Sequence, residues 1–147
     1  MTDDTERTPM TATAPTLQIA EEDKLRADLY DFLGVLLAGP PNAALLKQAA
    51  SLSGDESDLG QAIGALSRIA KVTSARAVES EFNALFIGLG RGELLPYASY
   101  YLTGFLNEKP LATLRGDMAA LQITRAPNVY EPEDNIASMM EIMAGLI

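Results

Sequence analysis

The sequence predicts an all-α protein, a single-domain helical bundle. Apolar residues recur at three- and four-residue spacing through most of the chain, the signature of helices that bury one face. No stretch of useful length alternates apolar and polar residues as a half-buried strand does. The 147 residues carry no internal repeat and amount to one domain's worth of chain, enough to bury a core without metals or disulfides.

Taken in order, the first helix is expected over about Ala20 to Ala38, with Leu25, Leu29, Phe32, Leu33 and Leu36 on one face. Glu21, Glu22 and Asp23 suit the positive end of its dipole, and Gly39-Pro40-Pro41 ends it. A short helix follows from about Asn42 to Leu52, and a longer one from about Glu56 to Lys71 with Leu59, Ile63, Leu66 and Ile69/Ala70 as its stripe. Thr73 or Ser74 can cap a helix from about Ala75 to Ile87 that turns Val78, Phe82, Leu85 and Phe86 inward. Three glycines, Gly88, Gly90 and Gly92, break it, and a short helix can start at Ser99. Pro110 fits the first turn of a helix to about Gln122, with Leu111, Leu114, Met118 and Leu121 inward. After a loop around Pro127, Pro132 is expected to open the last helix.

The two ends differ. Residues 1–18 are polar and Thr-rich and read as a disordered tail, leaving 19–147 as the folded domain. The beginning lacks the basic-then-apolar order of a secretory signal, and no apolar run approaches the roughly 20 residues of a membrane span. At the other end, Ile136, Met139, Met140, Ile142, Met143, Leu146 and Ile147 form an apolar helical pattern with no stop signal.

Charge and composition narrow the chemistry. Eleven Lys and Arg stand against 20 Asp and Glu, a formal net charge of −9. That argues against nucleic acid as the main partner and leaves basic peptides or proteins. There is neither Cys nor His, so thiol catalysis, disulfides, Cys-based zinc sites and histidine acid–base work are excluded. The absence of Cys fits a cytoplasmic protein.

Three segments carry candidate chemistry. Glu81-Phe82-Asn83-Ala84-Leu85-Phe86-Ile87-Gly88 reads by periodicity as a core helix with a glycine C-cap. In the second, the glycine loop lacks the preceding strand and the Gly-Lys-Ser/Thr ending of a nucleotide site. The following Pro96-Tyr97-Ala98-Ser99-Tyr100-Tyr101-Leu102 gathers three of the five tyrosines, which suits a wet groove and a buried loop anchor equally. The third, Tyr130-Glu131-Pro132-Glu133-Asp134-Asn135-Ile136, crowds three carboxylates at a helix start. It reads as capping and dipole complementarity, or as a site for a partner's Arg or Lys or for a divalent metal. Adjacent helical positions diverge by about 100°, which disfavours joint chelation by Glu133 and Asp134.

In order and spacing these pieces resemble the TorD/DmsD/NarJ family of cytoplasmic chaperones for molybdenum-containing oxidoreductases. The matching residues are Glu81-Phe82-x-x-Leu85-Phe86-Ile87-Gly88, then Pro96-Tyr97-x-Ser99-x-Tyr101-Leu102, then Glu131-Pro132-x-Asp134-Asn135-Ile136. The opening helix, Arg26-Ala27-Asp28-Leu29-Tyr30-x-Phe32-Leu33, is similar to the family's but less specific, and the resemblance covers about Ala20 to Ile147. It implies a TorD-like helical fold, no catalytic residues, no metal and no cofactor of the chain's own. The implied partners are an apo-molybdoenzyme, a reductase or dehydrogenase of the DMSO reductase type, and its twin-arginine leader. The implied binding residues are Tyr30, Phe82, Leu85, Phe86, Pro96, Tyr97, Ser99, Tyr101, Glu131, Pro132, Asp134 and Asn135. Glu131 and Asp134 would pair the arginines, while Phe82, Leu85, Phe86, Tyr97 and Tyr101 would line a groove for the apolar stretch.

Two departures stand beside the resemblance. Where the family usually has His after the Asp, this chain has Asn135, which cannot carry a proton near neutral pH. Family members also usually continue with further helices, so either the chain continues in a longer natural version or the domain is short at its C-terminus; in the second case Met139, Met140 and Met143 would need a partner chain, as in a homodimer with exchanged helices. Two other classes stay in view. One is a helical oligomerisation or interaction module with no signal-peptide role, and the other a carboxylate metalloenzyme using Glu131, Glu133 and Asp134.

Overall fold

The computed structural model describes residues 19–90 and 92–147; the tail expected over 1–18 lies outside the described residues. Among these described residues seven α-helices follow one another: α1 (Glu21–Ala38), α2 (Ala43–Ser51), α3 (Asp58–Val72), α4 (Ala75–Phe82), α5 (Ala98–Thr103), α6 (Lys109–Ala120) and α7 (Ile136–Leu146). Among the described residues there is no strand, only an isolated antiparallel bridge between Tyr97 and Asn135. The all-α expectation holds.

Local chemistry sets most helix starts. The side chains of Asn42, Ser57 and Ser74 accept the backbone N–H groups of Leu45, Gly60 and Ala77 at 2.9, 3.1 and 3.2 Å, and each satisfies one of the four free donors at a helix N-terminus. The acidic first turn of α1 complements its dipole without a side-chain cap. Pro110 sits at the start of α6. α6 stops at Ala120 rather than Gln122, because Gln122 turns into the left-handed region at φ 59°.

The helices pair as α1 with α7, α2 with α3, and α5 with α6, the first of these being the most extensive contact. Gly34 is the buried residue of α1, and a methyl group added there would lie 3.3 Å from Glu141 Cγ and 3.4 Å from the Ala137 carbonyl. The missing side chain is what lets α1 and α7 approach so closely. α2 and α3 are tied by Ser67, whose hydroxyl donates to the Ala50 carbonyl at 2.9 Å, beside buried Ala49 and Ala70.

Of the apolar side chains among the described residues, few are fully buried: Ala49, Ala70, Leu111, Met118 and Ala137. Leu25, Leu59, Ile69 and Leu121, expected to face inward, are mostly exposed, because the helices contact one another in pairs and leave open grooves between the pairs.

The start of the last helix needs correction. It begins at Ile136, with Asn135 as its cap accepting the Ala137 N–H at 2.9 Å, and not at Pro132. No acidic residue lies in its first turn. Residues 133–135 are drawn off the helix by a tertiary contact with the strand-like segment before α5.

Candidate functional site

That contact is a clasp between two segments far apart in sequence. The N–H of Ile136 donates to the Pro96 carbonyl at 2.8 Å, and the N–H of Ala98 donates to the Asp134 carbonyl at 3.0 Å. The Asp134 carboxylate then reaches past them and accepts the Ser99 N–H through Oδ2 at 2.8 Å. Asp134 is 2 % exposed and Ser99 fully buried. Asp134 Oδ1 and Ser99 Oγ are buried without a hydrogen-bond partner. The clasp fixes Tyr97 and Asn135 as paired neighbours.

A second local feature places the aromatic wall. After Phe82 the helix widens into a π-helical turn over Asn83–Ile87, closed by the Gly88 N–H donating to the Asn83 carbonyl at 2.7 Å. Such turns recur at functional sites. The chain doubles back at the glycines, so that Glu93 and Leu94 donate their N–H groups to the Ala84 and Leu85 carbonyls at 3.3 and 2.7 Å. Gly92 is needed for this return: a Cβ there would lie 2.5 Å from the Leu85 oxygen and the Phe86 carbonyl carbon, both backbone atoms. Phe82 and Phe86 are thereby stacked at a tilt, ring centres 4.8 Å apart and planes at 54°.

Clasp and aromatic wall meet across a groove of about 480 Å³. Its lining includes Leu37 and Ala38 of α1, Phe82 and Phe86, Pro96 and Tyr97, Tyr130 and Glu131, and Asn135, Ser138 and Glu141 of the α7 side. The Tyr97 hydroxyl donates to Glu131 Oε2 at 2.5 Å. Burial and the adjacent Glu131 carboxylate raise the Tyr97 phenol to about 12.

The remaining acids of the third segment are engaged elsewhere. Glu133, 12 % exposed, pairs with Arg115 Nε at 2.8 Å and lies 3.9 Å from Arg125 Nε. Burial opposes its ionisation, but its own backbone N–H and the guanidiniums of Arg115 and Arg125 outweigh that and hold its carboxyl below the ordinary value. Glu131, Glu133 and Asp134 thus turn to three different partners, and no group of three or more Asp or Glu placed to hold a metal occurs among the described residues.

Six of the residues singled out in the sequence, Phe82, Phe86, Pro96, Tyr97, Glu131 and Asn135, share this groove. Leu85 lines an adjoining groove of about 440 Å³ among α1, α2, α3 and α4. Tyr101 and Asp134 line a third, of about 460 Å³, with Met139 and Met140. Tyr30, Ser99 and Pro132 line none of the three. Sequence reasoning missed Glu141, although it is the one charged residue in Ile136–Ile147, a signal hidden by attention to the apolar stripe.

The all-helical fold is similar to that of a protein from Archaeoglobus fulgidus whose crystal structure was described as a candidate redox enzyme maturation protein. The TM-score is 0.56 at 19 % identity, covering 89 % of this chain and 74 % of that one. The family model described as nitrate reductase delta subunit matches residues 53–147, and the chain belongs to that family, the TorD/NarJ group. Among curated proteins it is similar to Chaperone protein TorD of Aliivibrio fischeri, 28 % identical over 139 residues. It is also similar to Chaperone protein TorD of Vibrio cholerae, 37 % identical over 68 residues. The alignments cover 83 % and 46 % of this chain; it spans 64 % and 31 % of the length of those two relatives.

Proposed function

We propose that this protein is a cytoplasmic chaperone of the TorD type. It binds the twin-arginine signal peptide or the apo form of a molybdopterin-dependent oxidoreductase, and assists cofactor insertion before export. In this reading it catalyses no reaction, and the cofactor belongs to the client. One observation carries it. A single groove joins an apolar aromatic wall, Phe82, Phe86, Pro96 and Tyr97, to a carboxylate-bearing rim at Glu131. A twin-arginine leader is a basic head followed by an apolar stretch, and the chain's net charge of −9 would steer it in. Each apolar side chain buried on binding contributes about 1.5–3 kcal/mol before ordering costs, so a few anchors suffice for micromolar affinity.

Within this proposal the twelve residues singled out divide their work. Phe82, Phe86, Pro96, Tyr97, Glu131 and Asn135 face the leader, and Leu85 extends the apolar surface. Asp134 and Ser99 act by holding the clasp. Tyr30, Pro132 and Tyr101 remain leader- or client-binding residues outside this groove, Tyr101 lining the third groove with Met139 and Met140. Self-association with exchanged helices belongs to the same proposal, supported by the apolar groove over Ile136, Met139 and Met140. Among the described residues no helix is long and apolar enough to cross a membrane.

The test is titration of the purified protein with a twin-arginine leader peptide, together with co-purification from cells expressing a molybdoenzyme that carries that leader. Saturable binding and a co-purified apoenzyme are expected. The interaction-module reading predicts constitutive self-association with no peptide preference, so that the titration shows no saturable binding and light scattering gives the same mass with and without peptide.

A further inference from the structure

The carboxylates near the groove are not equivalent. Asp134 is buried on Ser99, and Glu133 is paired with Arg115. Arg125, which shares a neighbouring groove with Glu141, is turned to Glu133 and to the Glu131 carbonyl, the latter at 3.2 Å. That leaves two exposed carboxylates lining the groove, Glu131 and Glu141. Glu141 takes part in none of the ion pairs among the described residues. Its stem lies over Gly34, where no side chain displaces it. The same groove shares Leu37, Phe82 and Phe86 with the adjoining one, which is lined by Leu46, Leu66 and Val78, so the two grooves abut at these three apolar side chains and define a path across them.

We infer that Glu131 and Glu141 form the cation-binding end of this path. They take two neighbouring guanidinium groups of a peptide whose following apolar segment crosses Phe82 and Phe86 into the groove of α2, α3 and α4. The inference rests on the proposed leader-binding role and adds to it the second acceptor and the direction of the bound chain. Its chemistry is charge complementarity: a carboxylate accepts a guanidinium through two parallel hydrogen bonds, and an open groove rim leaves room for one on each acid. Only Glu81 offers a carboxylate at the far groove, so a reversed peptide would depend on it.

The test is fluorescence anisotropy with three labelled peptides. These are a twin-arginine leader, a scrambled peptide keeping only two adjacent arginines before an apolar run, and that scrambled peptide with both arginines replaced by glutamine. The full chain is expected to bind the first two and to bind the third far more weakly. Glu131→Gln and Glu141→Gln are each expected to weaken binding about tenfold, the equivalent of one charge-assisted hydrogen bond, with a shallower dependence on salt. Glu81→Gln, at the apolar end, is expected to weaken binding less than either, the remote Asp117→Asn to leave affinity unchanged, and all four variants to melt like the parent. Binding of the peptides with no loss in Glu141→Gln, or a larger loss in Glu81→Gln than in Glu131→Gln and Glu141→Gln, overturns the inference and leaves the chaperone reading standing. Carboxylate-dependent binding of the scrambled peptide without binding of the leader overturns the leader reading and sustains the inference. Binding of neither overturns both.

Discussion

The carboxylate of Asp134 accepts the backbone N–H of Ser99 at 2.8 Å, across 35 positions of sequence. Together with the backbone pairing of Asp134 and Ile136 to Ala98 and Pro96, this bond explains why an acid-rich segment that looks like a helix start is not one. Asp134 serves the beginning of α5, a neighbouring element, while Asn135 is left to cap α7. An acid that would be read as a partner's arginine acceptor is thereby taken into the interior, and the acceptors that remain open are Glu131 and Glu141.

Asp134→Ala is expected to act on stability. It strands a buried N–H, which costs about 1–3 kcal/mol, and thermal unfolding monitored by circular dichroism should show the midpoint fall by several degrees. Asp134→Asn keeps an acceptor and should lose less. Ser99→Ala should be close to neutral, because the bond uses the backbone N–H of that residue and its hydroxyl has no partner. A midpoint unchanged in Asp134→Ala would contradict the clasp.

Much of the fold was legible because most helices announce themselves locally. Asn42 and Ser74 sit where a cap is needed, and Gly39-Pro40-Pro41 stops α1 where a helix must stop. The site was legible only in its residue types. Phe82 and Phe86 follow from helical spacing, but the π turn that seats them depends on Glu93 and Leu94 returning to the Ala84 and Leu85 carbonyls. The shift of the α7 start from Pro132 to Ile136 likewise depends on backbone pairing with Pro96 and Ala98. Such contacts leave no period in the sequence.

The pairing of Glu133 sets a pH dependence. Its carboxyl is held below the ordinary value in the folded chain, so the unfolded chain binds the proton first as pH falls. The stabilisation is therefore full above the unfolded carboxylate value, about 4.3, and is lost as pH drops through the lowered folded value. Glu133→Gln should flatten the acid limb of a stability–pH curve measured by urea unfolding. An acid limb of the same steepness in that variant would show that the Arg115 pair carries none of it.

Gly34 offers a graded probe of the α1–α7 contact. Gly34→Ala gains about 1 kcal/mol of helix propensity and asks Glu141 Cγ, 3.3 Å away, to give slightly; the two effects should nearly cancel. Gly34→Leu must push α7 aside and should cost about 1–3 kcal/mol. It should also weaken peptide binding, since Glu141 moves with α7. A leucine variant as stable as the parent would mean that the two helices are not held at this distance.

Gly92→Ala probes the return of the chain beneath the π turn. The added methyl meets backbone atoms of Leu85 and Phe86, which cannot rotate away. A loss of about 1–3 kcal/mol is expected, with a changed near-ultraviolet dichroism as the Phe86 ring shifts. An unchanged spectrum would detach Phe86 from the glycine loop.

Tyr97 bears on Glu131 through a single hydroxyl. With its phenol raised to about 12, Tyr97 stays protonated at any working pH and donates to Glu131 rather than competing with it for a proton. A carboxylate has about four acceptor positions, so this donation leaves positions for a guanidinium while it fixes the direction of the Glu131 side chain. A free glutamate loses up to about 2 kcal/mol of rotamer entropy when it is immobilised, and a glutamate already held loses less on binding. Tyr97→Phe removes the hydroxyl and keeps the ring, so the apolar wall persists and Glu131 is released. Affinity for an arginine-bearing peptide is therefore expected to fall about three- to tenfold, an effect of about 0.7–1.4 kcal/mol, and the double variant Tyr97→Phe/Glu131→Gln should fall no further than Glu131→Gln alone. Additive losses in that cycle would show that the hydroxyl contacts the peptide itself rather than acting through Glu131.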